Sequence, residues 1–181
     1  MVAQKKSPTW SDVKAELADF DRASLQGLLK DLYGASKDNQ AFLHARFGLG
    51  ADVLKPYKAR IDRWVSPELL KNQNVSASKA KKVITDYKKA IGRPEGLAEL
   101  MVFYCERASE FSNVFSFADE AYFKALVKMF EQALRISTTL PIDQRDALLV
   151  RLEDVRRISH NFGYGVGDEM DILMAEHRND A

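Results

Sequence analysis

Near the end of the chain, the stretch SHNFGYGVGDEM, Ser159 to Met170, sets Gly163, Gly165 and Gly167 at alternate positions. Glycines so spaced could cradle a phosphate on backbone N–H groups, but that chemistry needs a strand before them, because the strand-to-helix turn aims the N–H groups at the anion. Here a helical pattern precedes them. The helix that follows opens with Asp168, Glu169 and Asp171, whose carboxylates already meet the positive end of its dipole and would repel a phosphate. The spacing is therefore read as a hinge. Gly163 is expected to end one helix as a left-handed cap, and Gly165 and Gly167 to let the chain reverse so that the last helix docks, with Phe162, Tyr164 or Val166 as apolar plugs. No nucleotide or other cofactor is expected.

The remaining reactive side chains do not assemble into a catalytic set. Cys105 would need a histidine and an electropositive setting to act as a nucleophile, yet it falls on an apolar helical stripe with Glu106 next to it. It is read as a buried structural thiol. His44, His160 and His177 are far apart, and neither HExxH nor Glu-x-x-His occurs, which excludes the usual helical zinc and carboxylate-bridged di-iron patterns. A loose set of His160, Asp168 and His177 is the metal alternative; more simply, His160 is a C-terminal helix residue that suits the dipole. Arg156, Arg157 and His160 invite comparison with helical ribonucleases, at a spacing that is not those enzymes' usual one. Glu99, Glu106 and Glu110 stand at i, i+7 and i+11 on one helix edge. Such carboxylates could share protons or bind a cation, or pair with basic residues of another helix, which is the simpler reading. No catalytic residue and no metal ligand is assigned.

Charge is the stronger polar signal. The net charge of +1 hides an asymmetry: residues 1–93 hold 18 Lys and Arg against 10 Asp and Glu, whereas residues 94–181 hold 9 against 16. The basic excess is most visible in SASKAKKVITDYKKAIGR. On a helical wheel Ala80, Val83, Ile84, Tyr87 and Ile91 form its inner face, Lys82, Lys89 and Arg93 cluster opposite, and Lys81 and Lys88 flank them. This candidate interaction surface has the footprint of a nucleic-acid contact and equally that of a solvated lysine face. No helix-turn-helix glycine turn or aromatic platform accompanies it.

The elements that must position these groups all read as helices, since apolar residues recur at three and four and no sustained alternation occurs. Residues 1–8 are expected to be a disordered tail and residues 9–181 one all-α domain. About nine helices are expected, packed antiparallel as a multi-helical bundle or a short stack of helical hairpins. Ser11 is a candidate N-cap for the first. Asp21 caps the second, which carries Leu25, Leu28, Leu29 and Leu32 and ends at Gly34. The third runs from about Asp38 to Phe47, and the fourth from about Asp52 to Ser66-Pro67. A polar loop around Lys71 to Val75 follows, then a fifth from Ser76 to Gly92. Pro94 opens the sixth, to about residue 114, with Leu97, Leu100, Met101, Tyr104, Cys105, Ala108 and Phe111 on one stripe. Asp119 begins the seventh, with Tyr122, Phe123, Leu126, Phe130, Ala133 and Leu134 inward until Pro141; the sixth and seventh form the core. The eighth spans about Asp143 to Asn161 and the ninth about Asp168 to Arg178.

The segments YCERASEF, FADEAYFKALVKMFEQAL and GYGVGDEMD together resemble a family of bacterial all-helical proteins known as a domain of unknown function, over about residues 10 to 178. What the resemblance implies is a helical fold, not a chemistry. The longest apolar run, Leu100 to Cys105, is too short for a membrane span, and no export signal follows the N-terminal lysines. With one cysteine no internal disulfide forms, and a cytoplasmic setting is expected. The reading is therefore a non-catalytic protein-binding or scaffold module, engaging an unknown protein partner or itself; the alternative is a nucleic-acid-binding accessory protein using residues 77–93. Far-ultraviolet circular dichroism should show helix well above the roughly one third usual in globular proteins; a strand-dominated spectrum would refute this fold class.

Overall fold

The computed structural model of the chain describes residues 7–50, 52–68 and 73–180. Among these residues there are nine α-helices and no strand: α1 (Trp10–Glu16), α2 (Arg22–Ala35), α3 (Lys37–Phe47), α4 (Lys55–Val65), α5 (Ala77–Ala90), α6 (Pro94–Phe115), α7 (Glu120–Ser137), α8 (Ile142–Ser159) and α9 (Val166–Asp180). Most of the expected tail, and Lys71 and Asn72 of the expected polar loop, lie outside the described residues; residues 73–76 are irregular as expected. The ends follow local chemistry. Asp21, Ser36, Ser76 and Asp119 each accept a backbone N–H three residues on, and Gly48 closes α3 in the left-handed region at φ 65°. Two caps differ from expectation. Thr9, not Ser11, precedes α1, and its N–H and hydroxyl both donate to Asp12. Gly34 does not end α2, because Ser36 serves as both the end of α2 and the cap of α3.

Eleven residues of α6 are buried, and α7, α8, α4 and α5 pack around it. The expected stripes of α6 and α7 are all in this core, as is the Cys105 thiol, which burial pushes well above its ordinary pKa. Helix α9 closes the assembly against α7 and α8. Gly96 lets α5 approach α6: a Cβ there would fall 2.0 Å from the hydroxyl of the buried Tyr87.

Helices α1 to α3 are organised differently. Neither α1 nor α2 buries a residue, and α3 buries only Ala45. Helix α2 packs on α3, and α3 alone leans on α5. The α2–α3 hairpin is held by polar contacts. Asn39 donates to the Leu32 carbonyl at 2.6 Å and Gln40 to that of Tyr33 at 3.1 Å, while the Tyr33 hydroxyl meets His44 Nε2 at 2.9 Å. Arg46, donating to the Ala90 carbonyl at 3.4 Å, and Asp38, 3.3 Å from Arg60, tie α3 to the core.

The acidic edge of α6 is paired. Arg151 of α8 lies between Glu99 and Glu106, donating to both oxygens of Glu106 at 2.7 Å and to both of Glu99 at 2.5 and 3.2 Å; Lys58 of α4 adds a contact to Glu99 at 2.7 Å. The third glutamate, Glu110, pairs with Arg107, which also reaches Asp62 of α4. Burial works against ionised Glu99, but its bonds from Arg151 and Lys58 overcome it and hold the carboxyl below its usual range. A group depressed in this way stabilises the fold above the unfolded glutamate pKa of about 4.3 and loses that contribution as pH falls through the lowered folded value. Arg151→Ala should therefore cost about 2 kcal/mol at pH 7, and the gap to the wild type should narrow between about pH 5 and 3. Urea midpoints across that range are the measurement, and a gap independent of pH would contradict the assignment.

Candidate functional site

The basic face of α5 is solvent-exposed as its pattern requires, with Lys81, Lys82, Lys88, Lys89 and Arg93 all outside and Ala80, Val83, Ile84 and Tyr87 buried beneath. It is not uniformly free cation. Lys82 holds Asp86 at 2.8 Å, a partner that also lies 3.9 Å from Arg60. The nearby aromatic surface is covered as well: Trp64 carries Lys79 over its ring at 4.2 Å and Arg63 at 4.9 Å from the centroid. Lys88, Lys89 and Arg93 make up the exposed end of the face, beside the turn at Gly92 (φ 66°) that leads into α6.

Lys81 turns toward a different feature. It lines a cavity of about 490 Å³ together with Tyr104, Phe117, Tyr122, Met129 and Lys128, next to the N-terminus of α5. The Tyr122 hydroxyl is engaged by the carbonyl of Val65 at 2.6 Å, and burial raises the pKa of both Tyr104 and Tyr122 far above the phenol range. Both phenols are therefore neutral packing groups. The cavity is a largely apolar recess whose lining also holds Lys81, Lys128 and Asp119.

The glycine reversal joins α8 to α9, but its backbone is not as expected. Gly163 is not left-handed; Tyr164 (φ 62°) and Gly165 (φ 69°) are. Helix α8 ends through ordinary right-handed geometry at His160, so no left-handed cap is needed before Gly163. Phe162, stacked on Phe123 with ring centroids 5.3 Å apart, and the buried Val166 are the plugs, while Tyr164 is 60% exposed. Gly167 is a close approach. A Cβ there would lie 2.6 Å from His160 Nδ1 and 2.9 Å from its Cα, so α9 packs on the end of α8 only because this residue has no side chain.

That approach builds a cluster which the sequence pattern only half disclosed. His160 Nε2 lies 3.2 Å from Asp171, Asp168 is beside them, and Arg156 donates to Asp171 and holds Glu153 at 2.6 Å. His177 lies elsewhere, lining a surface recess with Glu131 and Arg135. The Arg156 guanidinium, and secondarily His160, keep the Asp171 carboxyl below its usual range. With a guanidinium already on Asp171, the geometry is that of an ion-pair clasp between α8 and α9. Arg157 points away, pairing with Asp154.

No protein-family model, curated protein or solved structure matches the chain. What the geometry singles out instead is an apolar surface. Among the described residues, ten of the sixteen exposed large apolar side chains fall within residues 10–49, among them Trp10 at 69% and Phe47 at 70% exposed. Leu25, Leu29 and Leu32 of the α2 stripe are 40–50% exposed, although a stripe at that spacing ordinarily faces a core. A sequence signal for this existed: no neighbouring segment before residue 52 carries a second stripe strong enough to cover α2. Two thermal-melt results are expected. Gly163→Ala should change stability by less than about 0.5 kcal/mol, because neither φ nor space opposes it, whereas Gly167→Ala should cost roughly 1–3 kcal/mol by overpacking on His160. ATP or NAD should leave the melting temperature unchanged; a saturable shift would revive the phosphate cradle.

Proposed function

We propose that this protein is a non-catalytic protein-binding module of the bacterial cytoplasm, and that the arm formed by α1 to α3 is its docking element. The observation that carries this reading is the concentration of exposed apolar side chains on helices whose own core contacts amount to Ala45 alone. Exposed apolar side chains gathered in one patch mark an interaction site far more often than a solvated face does. The setting rests on the resemblance to a bacterial helical family and on a chain whose one cysteine is buried and free. Among the described residues no helix is long and apolar enough to cross a membrane.

The alternative, nucleic-acid binding through α5, is favoured by one specific observation: residues 51–93 hold eleven Lys and Arg against four Asp and Glu. Pairing of Lys82 with Asp86 and the acidic second half of the chain weigh against it. Tagged protein purified from its own cells with and without nuclease, beside an arm variant carrying Leu25→Asp and Leu29→Asp, separates the two. The docking reading expects proteins retained by the wild type through nuclease treatment and released by the variant. For the alternative, fluorescence anisotropy with short DNA and RNA at several salt concentrations is decisive. If α5 meets phosphates, neutralising Lys82, Lys89 and Arg93 to glutamine removes nearly one unit each from the slope of log affinity against log salt. The expected outcome is weak binding to every probe at physiological salt, unchanged in the triple variant.

A further inference from the structure

Resting on the reading of the arm as the docking element, we propose that its occupant is a second copy of this chain. The two arms, α1 to α3, would pair about a two-fold axis, with the leucine stripe of α2 in the seam. The first argument is stability. Helices of 14 and 11 residues are at the length where isolated helices are marginal in water, and tertiary packing of an apolar face supplies what propensity does not. Within one chain α2 has only α3 to pack on and buries no residue fully.

The second argument is area. At roughly 150–250 Å² for a large side chain, ten that are 38–70% exposed present on the order of 900 Å², against the roughly 800 Å² per partner that a standard stable interface buries. Among the described residues no other stretch of sequence carries so many exposed large apolar side chains. The third is charge. Residues 10–50 hold five Lys and Arg against six Asp and Glu, so two arms meet almost neutral, without the repulsion that two copies of the α5 face would feel. A near-neutral arm also offers no charge complementarity to a strongly acidic or basic partner.

The fourth is geometry. Leu25, Leu28, Leu29 and Leu32 stand at i, i+3, i+4 and i+7, the spacing by which a helix packs along a like helix. The hairpin's polar needs are already met inside one chain, by the caps Asp21 and Ser36 and by the bonds of Asn39, Gln40 and His44. A two-fold pairing of one patch with itself closes without leaving a second patch open.

The test is sedimentation equilibrium of the full chain, 20.5 kDa, as wild type and with Leu25→Asp and Leu29→Asp. The wild type is expected at twice the chain mass at micromolar concentration, and the double variant to dissociate at least about a hundredfold more readily, with an unchanged core melting transition. A second measurement guards against misfolding of the variant. Cys105 is buried, so a cysteine placed at Leu32 is the reactive thiol and should cross-link two chains on mild oxidation, whereas one at the exposed Val150 should not. A monomeric wild type overturns the proposal, as does a dimer that the arm substitutions leave intact and that cross-links through Val150→Cys. Either failure leaves the docking reading to its own criterion, the arm-dependent retention of other proteins; that reading fails separately if the arm variant retains the same proteins as the wild type.

Discussion

The structure depends on enclosing α6. A helix of 22 residues with eleven of them buried has apolar positions around most of its circumference, so it is stable only inside a ring of other helices. Helices α4, α5, α7 and α8 supply that ring. The consequence is a partition of the chain. Whatever amphipathic helix is needed to cover α6 is committed to the core, and the helices that arrive first in sequence, α1 and α2, find no vacancy.

The same enclosure determines what the polar residues do. Glu99 and Glu106 lie on the edge of α6 where the ring is not perfectly apolar, and a carboxylate half-removed from water needs a partner. Arg151 reaches both from α8 with a planar fork that satisfies two carboxylates at once, which a lysine at that position would not do. Arg107 does the equivalent between α6 and α4 through Asp62, and Arg156 between α8 and α9 through Asp171. Side chains that by type could have served chemistry are in this way occupied in fixing helices against one another.

The helices and the two core stripes were legible because each rests on local information: a side-chain cap such as Asp119, a proline tolerated in the first turn such as Pro94, and apolar spacing that repeats over several turns. The pairing of the α6 glutamates with another helix was readable as a class of partner, though not as Arg151, since periodicity says which face a residue occupies but not which helix lies opposite. The failures are equally physical. Gly163 and Gly165 are identical in type, and the choice of which one turns left-handed is made by the docking of Phe162 on Phe123 and Val166 in the core, which is long-range. Ser36 outcompeted Gly34 as a boundary because one serine could close α2 and open α3 at the same point. The α2 stripe was visible as a stripe, yet its exposure follows only from knowing that α4, α5, α7 and α8 already enclose α6.

The surface that results has two regions with opposed costs. Across the lysine end of α5, docking would have to immobilise long side chains worth up to about 2 kcal/mol of rotamer entropy each and strip water from ammonium groups with few acidic neighbours to receive them. Across the arm, the side chains are leucines and aromatic rings, whose burial returns on the order of 25 cal/mol per Å² and whose rotamers are fewer. The charge excess of residues 1–93 is not spread evenly between these regions, because the first fifty residues are nearly balanced and the surplus sits in α4 and α5. Part of that surplus is met internally, Lys58 by Glu99 of the acidic half. What stays outside is hydrated charge, costly to cover, whereas the apolar side chains of residues 10–49 are cheap to cover.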